Sequence, residues 1–129
     1  MANRKFVLSK EATELLDRVI VELNIPRPEA LRLALAKGLV DAALDEIPQQ
    51  LEGGGFEVPH GVIAKDDDYV MYKHLIIEKL HKPIDDKDID PYMHKLIEAG
   101  LRIMGNEMDQ LSSLDNYLLY LVEKPARGS

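Results

Sequence analysis

Two polar and three apolar residues, Arg4 to Leu8, precede a stretch whose apolar positions have the period of a helix. As a short β-strand, this segment would place Arg4, Phe6 and Leu8 on one face and Lys5 and Val7 on the other. A strand of this length is stable only when another strand pairs with it. We therefore expect a short N-terminal strand with a partner elsewhere.

Two helices are predicted after the strand. Ser9 is a suitable N-cap for helix 1, whose apolar positions share one face until Asn24 and Pro26 end the helix. Pro28 suits the first turn of helix 2, which we expect to run to about Leu44. The apolar positions of helix 2 extend nearly all the way round it, so it needs cover on several sides. In a chain this small a partner subunit is a natural source of that cover, and we expect self-association through helix 2.

Residues 48–65 interrupt the helical pattern with glycines and prolines. The run Gly53–Gly55 lacks the Gly-Lys-Ser/Thr ending of a phosphate-binding loop. We therefore interpret this segment as a plain loop that contains glycine.

Two or three further helices are predicted in the C-terminal half. The carboxylates of Asp66–Asp68 suit the positive end of helix 3. The run Pro83–Asp88 predicts a turn, after which Asp90 and Pro91 suit the N-cap and first position of helix 4.

The later part of helix 4 carries two glycines, Gly100 and Gly105. Each costs roughly 1 kcal/mol relative to alanine, which indicates close helix packing or a break in the helix. Ser112 or Ser113 would cap a last helix, and the residues after Val122 are expected to form a tail.

These patterns predict a mostly α fold, a compact helical domain with a short N-terminal β-strand. The single domain is expected to span residues 1–122 and the tail residues 123–129. Within the domain we expect a strand-helix-helix head at 1–47, a loop containing glycine at 48–65 and a helical half at 66–122.

Composition narrows the classes of function. The 129 residues include no cysteine, which excludes a disulfide framework, a thiolate zinc site, an iron–sulfur cluster and a cysteine nucleophile. The net charge of −7 argues against a simple basic coat for nucleic acid. The charge is uneven, because residues 1–40 carry seven basic and five acidic side chains.

Neither a signal peptide nor an apolar run of membrane-spanning length is evident, so we expect a cytoplasmic protein with no membrane partner.

The candidate metal and catalytic groups form only weak patterns. His74, Glu78 and His81 share one face of helix 3, but they do not match a zinc motif, and we interpret them as a solvated face. His94 and Glu98 have similar spacing and are expected on the surface or at a subunit contact. No nucleophile motif marks an enzyme. The sequence therefore predicts no enzyme activity, no catalytic residue, no metal and no cofactor.

The head, RKFVLSKEATELLDRVIVELNIPRPEALRLALAKGL, resembles a ribbon-helix-helix unit. In that class, strands from two chains pair antiparallel and enter the major groove of DNA. The class usually holds a phosphate at free N–H groups that begin its second helix. Here Arg27 and Pro28 stand at that place. The resemblance implies a transcriptional repressor as one alternative.

Over residues 8 to 121 the chain is similar to the DndE family of DNA phosphorothioation, the sulfur modification of the DNA backbone. The similar segments are the helix start at Leu8-Ser9, the helix ALRLALAKGL, the stretch GGGFEVPHGVIAKDDDYVMYKHLI and the helix HKLIEAGLRIM. The resemblance implies a small, mostly helical, tetrameric protein that binds DNA with a preference for nicked duplex. It also implies action beside the sulfur-transfer and iron–sulfur proteins of the pathway.

The resemblance assigns DNA binding to basic side chains on the surface. Their nearest counterparts here all lie in the head: Arg4, Lys5, Lys10, Arg27, Arg32 and Lys37. The expected function is that of a non-enzymatic, DNA-associated accessory protein of phosphorothioation. It would act as a homo-oligomer of four or two subunits, with duplex DNA and other proteins of the pathway as partners. Besides the repressor, the alternative is a protein adaptor or scaffold with reduced DNA binding, which the acidic body favours.

Overall fold

The computed structural model describes residues 6–59 and 66–123. In chain order its elements are β1 (Phe6–Ser9), α1 (Lys10–Leu23), α2 (Arg27–Asp41), a single 3-10 turn (Leu44–Glu46), β2 (Gly54–Val58), α3 (Asp66–Leu80) and α4 (Asp86–Glu123). The prediction of a mostly helical domain with a short N-terminal strand is confirmed. Over these two ranges, none of the helices combines the length and apolar character that a membrane crossing requires.

β1 and β2 form a two-stranded antiparallel sheet within one chain, pairing Val7 with Glu57 and Ser9 with Gly54. The interpretation of the glycine-rich segment as a plain loop was therefore wrong where β2 lies. A ribbon-helix-helix unit pairs the corresponding strand with that of a second chain, whereas here one edge of β1 is taken by its own chain. The predicted faces of β1 are confirmed, because Leu8 is fully buried and Val7 is exposed.

A β-bulge in β2 explains why glycine is needed there. Between the paired positions, Gly55 and Phe56 lie opposite Leu8 alone. A side chain at Gly55 would collide with the Leu8 carbonyl oxygen and with Thr13 Oγ1 of α1. The Phe56 N–H donates to that same Thr13 Oγ1 at 2.8 Å. Gly54 adopts a φ of 91°, which side-chain-bearing residues rarely reach.

α2 packs on α4 at a distance that only glycine permits. A Cβ at Gly38 would meet the backbone carbonyl of Leu96, and a Cβ at Gly100 would meet that of Ala34. α4 therefore supplies, within the same chain, much of the cover that α2 needs. Val40 of α2 nevertheless remains 79% exposed, so self-association through this helix stays a prediction. The core has these fully buried large side chains: Leu8, Leu16, Val19, Leu31, Leu35, Val58, Ile76, Met93, Leu96, Ile97 and Leu101.

α4 is one continuous helix of 38 residues, where the sequence predicted two. It begins at Asp86, so the predicted start at Asp90 and Pro91 was wrong. Pro91 lies near enough to this beginning to cost only one intrahelical hydrogen bond. No break occurs at Ser112 or Ser113 either, because the helical apolar spacing continues across them. α2, in turn, ends at Asp41, three residues earlier than expected.

Candidate nucleic-acid interface and the buried carboxylate beneath it

Two of the predicted DNA-binding residues lie beside β2, Lys10 at Gly54 and Arg27 at Phe56. Lys10 begins α1 and is exposed, and its side-chain carbons lie 3.7 Å from the Cβ position of Gly54. Arg27 begins α2, and its guanidinium lies 4.6 Å from the centre of the Phe56 ring. An arginine stacked in this way keeps its outward N–H groups available to an acceptor. The two cations therefore mark one exposed edge of the head.

The N-terminal ends of α1 and α2 meet this edge but are capped differently. The Ser9 hydroxyl accepts the Ala12 N–H of α1 at 3.0 Å. α2 follows Pro26, which provides no side-chain cap, so its first N–H groups rely on other acceptors. The positive end of the α2 dipole and the charge of Arg27 favour an anion here, although Glu29 in the first turn offsets part of that charge.

The other described candidates, Arg32 and Lys37, do not join this edge. Arg32 lies close enough to Tyr72 of α3 to influence its pKa, which burial raises and Arg32 opposes. Lys37 binds Asp41 at 2.9 Å and Glu107 at 3.0 Å. The hydrogen bonds to Asp41 and Glu107 raise the pKa of Lys37, and its charge is balanced locally. Neither residue therefore adds to the cationic edge.

The remaining two candidates, Arg4 and Lys5, lie outside the described residues. Exposed carboxylates also lie beside the edge, since Glu52 precedes β2 and Glu57 belongs to it. The cationic character of the edge is therefore local to Lys10 and Arg27.

A buried carboxylate lies beneath the start of α1. Glu98 of α4 is only 2% exposed. The Ser9 N–H donates to Glu98 Oε2 at 2.8 Å, and the Ser9 hydroxyl donates to Oε1 at 2.9 Å. His94 Nε2 lies 3.3 Å from Oε2, and Arg102 Nη2 lies 3.5 Å from Oε1. This cluster joins the β1–α1 junction to the middle of α4.

The cluster keeps the carboxyl of Glu98 ionised. Burial alone would raise its pKa, but the hydrogen bonds from His94 and from the Ser9 N–H and hydroxyl outweigh burial, and the pKa of Glu98 is lowered. Hydrogen bonds to an ionised acceptor are the stronger kind. The interaction therefore holds Ser9, the last residue of β1, against α4.

The expectation that His94 and Glu98 lie on the surface or at a subunit contact was wrong, because both side chains are buried within one chain, at 5% and 2% exposed. The available signal was the position of Glu98 within the run Leu96–Leu101, which is otherwise apolar or small. Ser9, His94 and Glu98 are the residue types of a hydrolytic triad, but each is at most 5% exposed, and a nucleophile must be reached by its substrate. The chemistry that this arrangement supports is structural.

His74 and Glu78 lie on α3 and His81 follows the end of that helix at Leu80. All three side chains are exposed. Among the residues that the structure describes, no three potential ligands lie close enough together to hold a metal ion.

The geometry thus offers one exposed cationic edge, backed by a buried ionic anchor. Lys10 and Arg27 both contribute to it, through their contacts with Gly54 and Phe56 of β2. Comparison of the chain with protein-family models, curated proteins and solved structures finds no match in any of the three.

Proposed function

We propose that this protein is a non-enzymatic, DNA-associated accessory protein of DNA phosphorothioation. In this proposal its head contacts the backbone of duplex DNA and prefers nicked duplex. The observation that carries the proposal is the placement of Lys10 and Arg27 beside β2, at Gly54 and Phe56, where α1 and α2 begin. The resemblance to the DndE family supplies the pathway and the preference for a nick.

The distribution of charge supports contact through the head. Contacts between basic side chains and phosphates provide nearly all of the non-specific affinity for DNA. The chain as a whole carries a charge of −7, so most of its surface repels a phosphate backbone. DNA would therefore approach at the cationic edge, with the acidic body directed away from it.

The test is a titration of the full chain with nicked and intact duplexes of one sequence at several salt concentrations. The double variant Lys10→Gln/Arg27→Gln should weaken binding by about tenfold or more. It should also reduce the slope of log affinity against log salt by up to about 2, since each lost phosphate contact removes roughly 0.9. The resemblance predicts tighter binding to the nicked duplex.

The matched control is Lys82→Gln/Lys87→Gln, which removes the same charge from exposed positions beside the α3–α4 connection. This control should bind DNA as the parent chain does. An equal loss of DNA affinity in both double variants would show that binding depends only on the net charge of the chain. Absence of binding to either duplex at low salt would exclude the proposal for the protein alone.

A second candidate function, a protein adaptor, is favoured by the exposed apolar side chains. Val40 on α2 and Leu118, Leu119 and Val122 on α4 are between 48% and 79% exposed. Exposed apolar surface of this extent marks a protein contact more often than a nucleic-acid contact. Co-elution with a purified pathway protein, together with no DNA binding, would favour the adaptor.

A further inference from the structure

An apolar groove lies between α2 and α3. Its volume is about 430 Å³, which is within the range of roughly 300–1,000 Å³ typical of ligand pockets. Val40, Met71 and Leu75 line it and are 79%, 48% and 40% exposed. This groove therefore leaves large apolar side chains in contact with water.

A second apolar surface lies on the C-terminal part of α4. α1 binds α4 through the ion pair between Arg18 Nη2 and Asp109 Oδ1, at 2.7 Å. The remaining residues 110–123, here called the tail helix, span about 20 Å at 1.5 Å per residue. Leu111, Leu118 and Val122 are 58%, 48% and 74% exposed. Their spacings of seven and four place them on one face of the helix.

The tail helix and the groove of one chain cannot meet without breaking α4. The helix is continuous from Asp86 to Glu123, and its middle is fixed against α2 at Gly100. A second copy of the chain supplies both surfaces without any change in the fold. An amphipathic helix in an apolar groove is a recurring mode of recognition, with anchors one and two turns apart. Reciprocal exchange between two copies would close a symmetric dimer.

Charge favours the groove over another tail helix as the partner. The tail helix has two acidic residues, Asp115 and Glu123, and no basic one. Two tail helices side by side would therefore bring like charges together. The groove carries both signs, with Lys79 beside Glu78 on its wall, and both Asp68 and Arg32 lie within electrostatic reach of the groove residue Tyr72. The acidic helix thus meets less repulsion in the groove.

We propose that the tail helix of one copy docks in the α2–α3 groove of a second copy, and that the second copy returns the same contact. The proposal is independent of DNA binding. It assigns two different surfaces to one interface, and each surface can be altered separately.

The test uses two exposed-surface variants of the full chain. The tail variant is Leu118→Gln/Val122→Gln, and the groove variant is Val40→Gln/Leu75→Gln. Sedimentation velocity over a wide concentration range should show a dimer for the parent chain. In each variant the dissociation constant should rise by about tenfold or more, because anchor side chains carry most of the affinity of an interface. Far-UV circular dichroism and thermal unfolding check that both variants remain folded.

Mixing the two variants distinguishes this interface from any other. An equal mixture retains one intact contact, between the tail of the groove variant and the groove of the tail variant, so heterodimers should form where each variant alone is monomeric. The control Val7→Gln/Val21→Gln, at exposed positions on β1 and α1, should dimerise like the parent. A parent chain that is monomeric throughout, loss of dimer in only one variant, or no recovery on mixing would overturn the proposal.

Discussion

At the scale of single residues, Glu98 decides how the head is held. Its two carboxylate oxygens receive both donors of Ser9, a residue 89 positions away in the chain. A buried carboxylate without such partners would become protonated or would destabilise the fold. Removing the charge leaves the Ser9 N–H and hydroxyl without their ionised acceptor. Leaving buried donors unpaired lowers the stability of the fold by more than the net free energy that a hydrogen bond contributes.

We predict that Glu98→Gln lowers the free energy of unfolding by about 3 kcal/mol. The amide replaces one acceptor oxygen by a donor and no longer attracts His94. The control is Glu11→Gln, which breaks an ion pair with Arg102 on the surface and should cost less than about 1 kcal/mol. Urea unfolding of the three chains measures both values, and similar losses in the two variants would contradict the prediction.

The lowered pKa of Glu98 predicts the direction of a pH effect. A carboxyl with a lowered pKa in the folded state adds stability at neutral pH, and that stability is lost as the pH falls through the ordinary glutamate range towards the lowered pKa. Besides Ser9, the side chains that contact the carboxylate of Glu98 are His94 and Arg102, and Arg102 also binds Glu11.

The measurement compares the free energy of unfolding of the parent chain with that of Glu98→Gln at each pH, so that His94 is present in both chains. The difference in stability between them should shrink from neutral to acidic pH. A difference that stays constant or grows would show that Glu98 is not the group responsible.

At this scale the sequence predicts local roles and misses distant ones. Ser9 is the N-cap of α1, as predicted, because a cap depends on residues three positions away. The bond from Ser9 to Glu98 depends on the path of the whole chain, so no local pattern contains it. For the same reason Lys37 was grouped with the DNA-binding candidates although it binds two carboxylates.

At the scale of elements, the contact between α2 and α4 depends on two glycines. Gly38 and Gly100 let the two helices approach until backbone meets backbone. The cost of glycine in a helix is therefore offset by close packing. Gly105 differs, because a Cβ there would meet Leu15 Cδ2, the end of a flexible side chain, at 2.7 Å.

We predict opposite outcomes for alanine at the two glycines of α4. Gly100→Ala forces α2 and α4 apart and should lower the free energy of unfolding by about 3 kcal/mol. Gly105→Ala displaces only a side-chain end while it gains helix propensity, so its effect should lie within about 1 kcal/mol of zero. Chemical denaturation measures both variants. A larger loss at Gly105 than at Gly100 would contradict this description of the helix contact.

Physical reasons explain why β2 and the start of α4 were not predicted from the sequence. β2 begins with glycines, which disfavour strands. The strand forms because its bulge packs closely against Leu8 and the Phe56 N–H donates to Thr13. α4 continues through Pro91 although proline donates no backbone hydrogen bond. The helix begins at Asp86, so the loss falls near its N-terminal end, where a single missing hydrogen bond is tolerated. Helix propensity and capping signals are local, and here long-range packing overrides both.

At the scale of the whole molecule, the proposed DNA contact and the proposed contact with a second copy lie on different surfaces. The edge with Lys10 and Arg27 lies beside the sheet, whereas the apolar side chains of the second contact lie in the α2–α3 groove and on the tail helix. A protein can therefore contact DNA with one surface and its own copy with another. Fold class and the inward face of β1 were predictable from periodicity, but this separation depends on tertiary structure.

The tail helix gives the last prediction. Segments with few buried apolar contacts open most easily, and their amide hydrogens exchange first. In dilute protein, amides of residues 112–122 should exchange faster than those near Met93 and Met104, whose side chains are buried. As protein concentration rises and the tail helix enters the groove of a second copy, its amides and those of Met71–Leu75 should become protected together. Hydrogen exchange read by mass spectrometry at several concentrations measures this. Protection of the tail helix without protection of the groove would place its partner elsewhere.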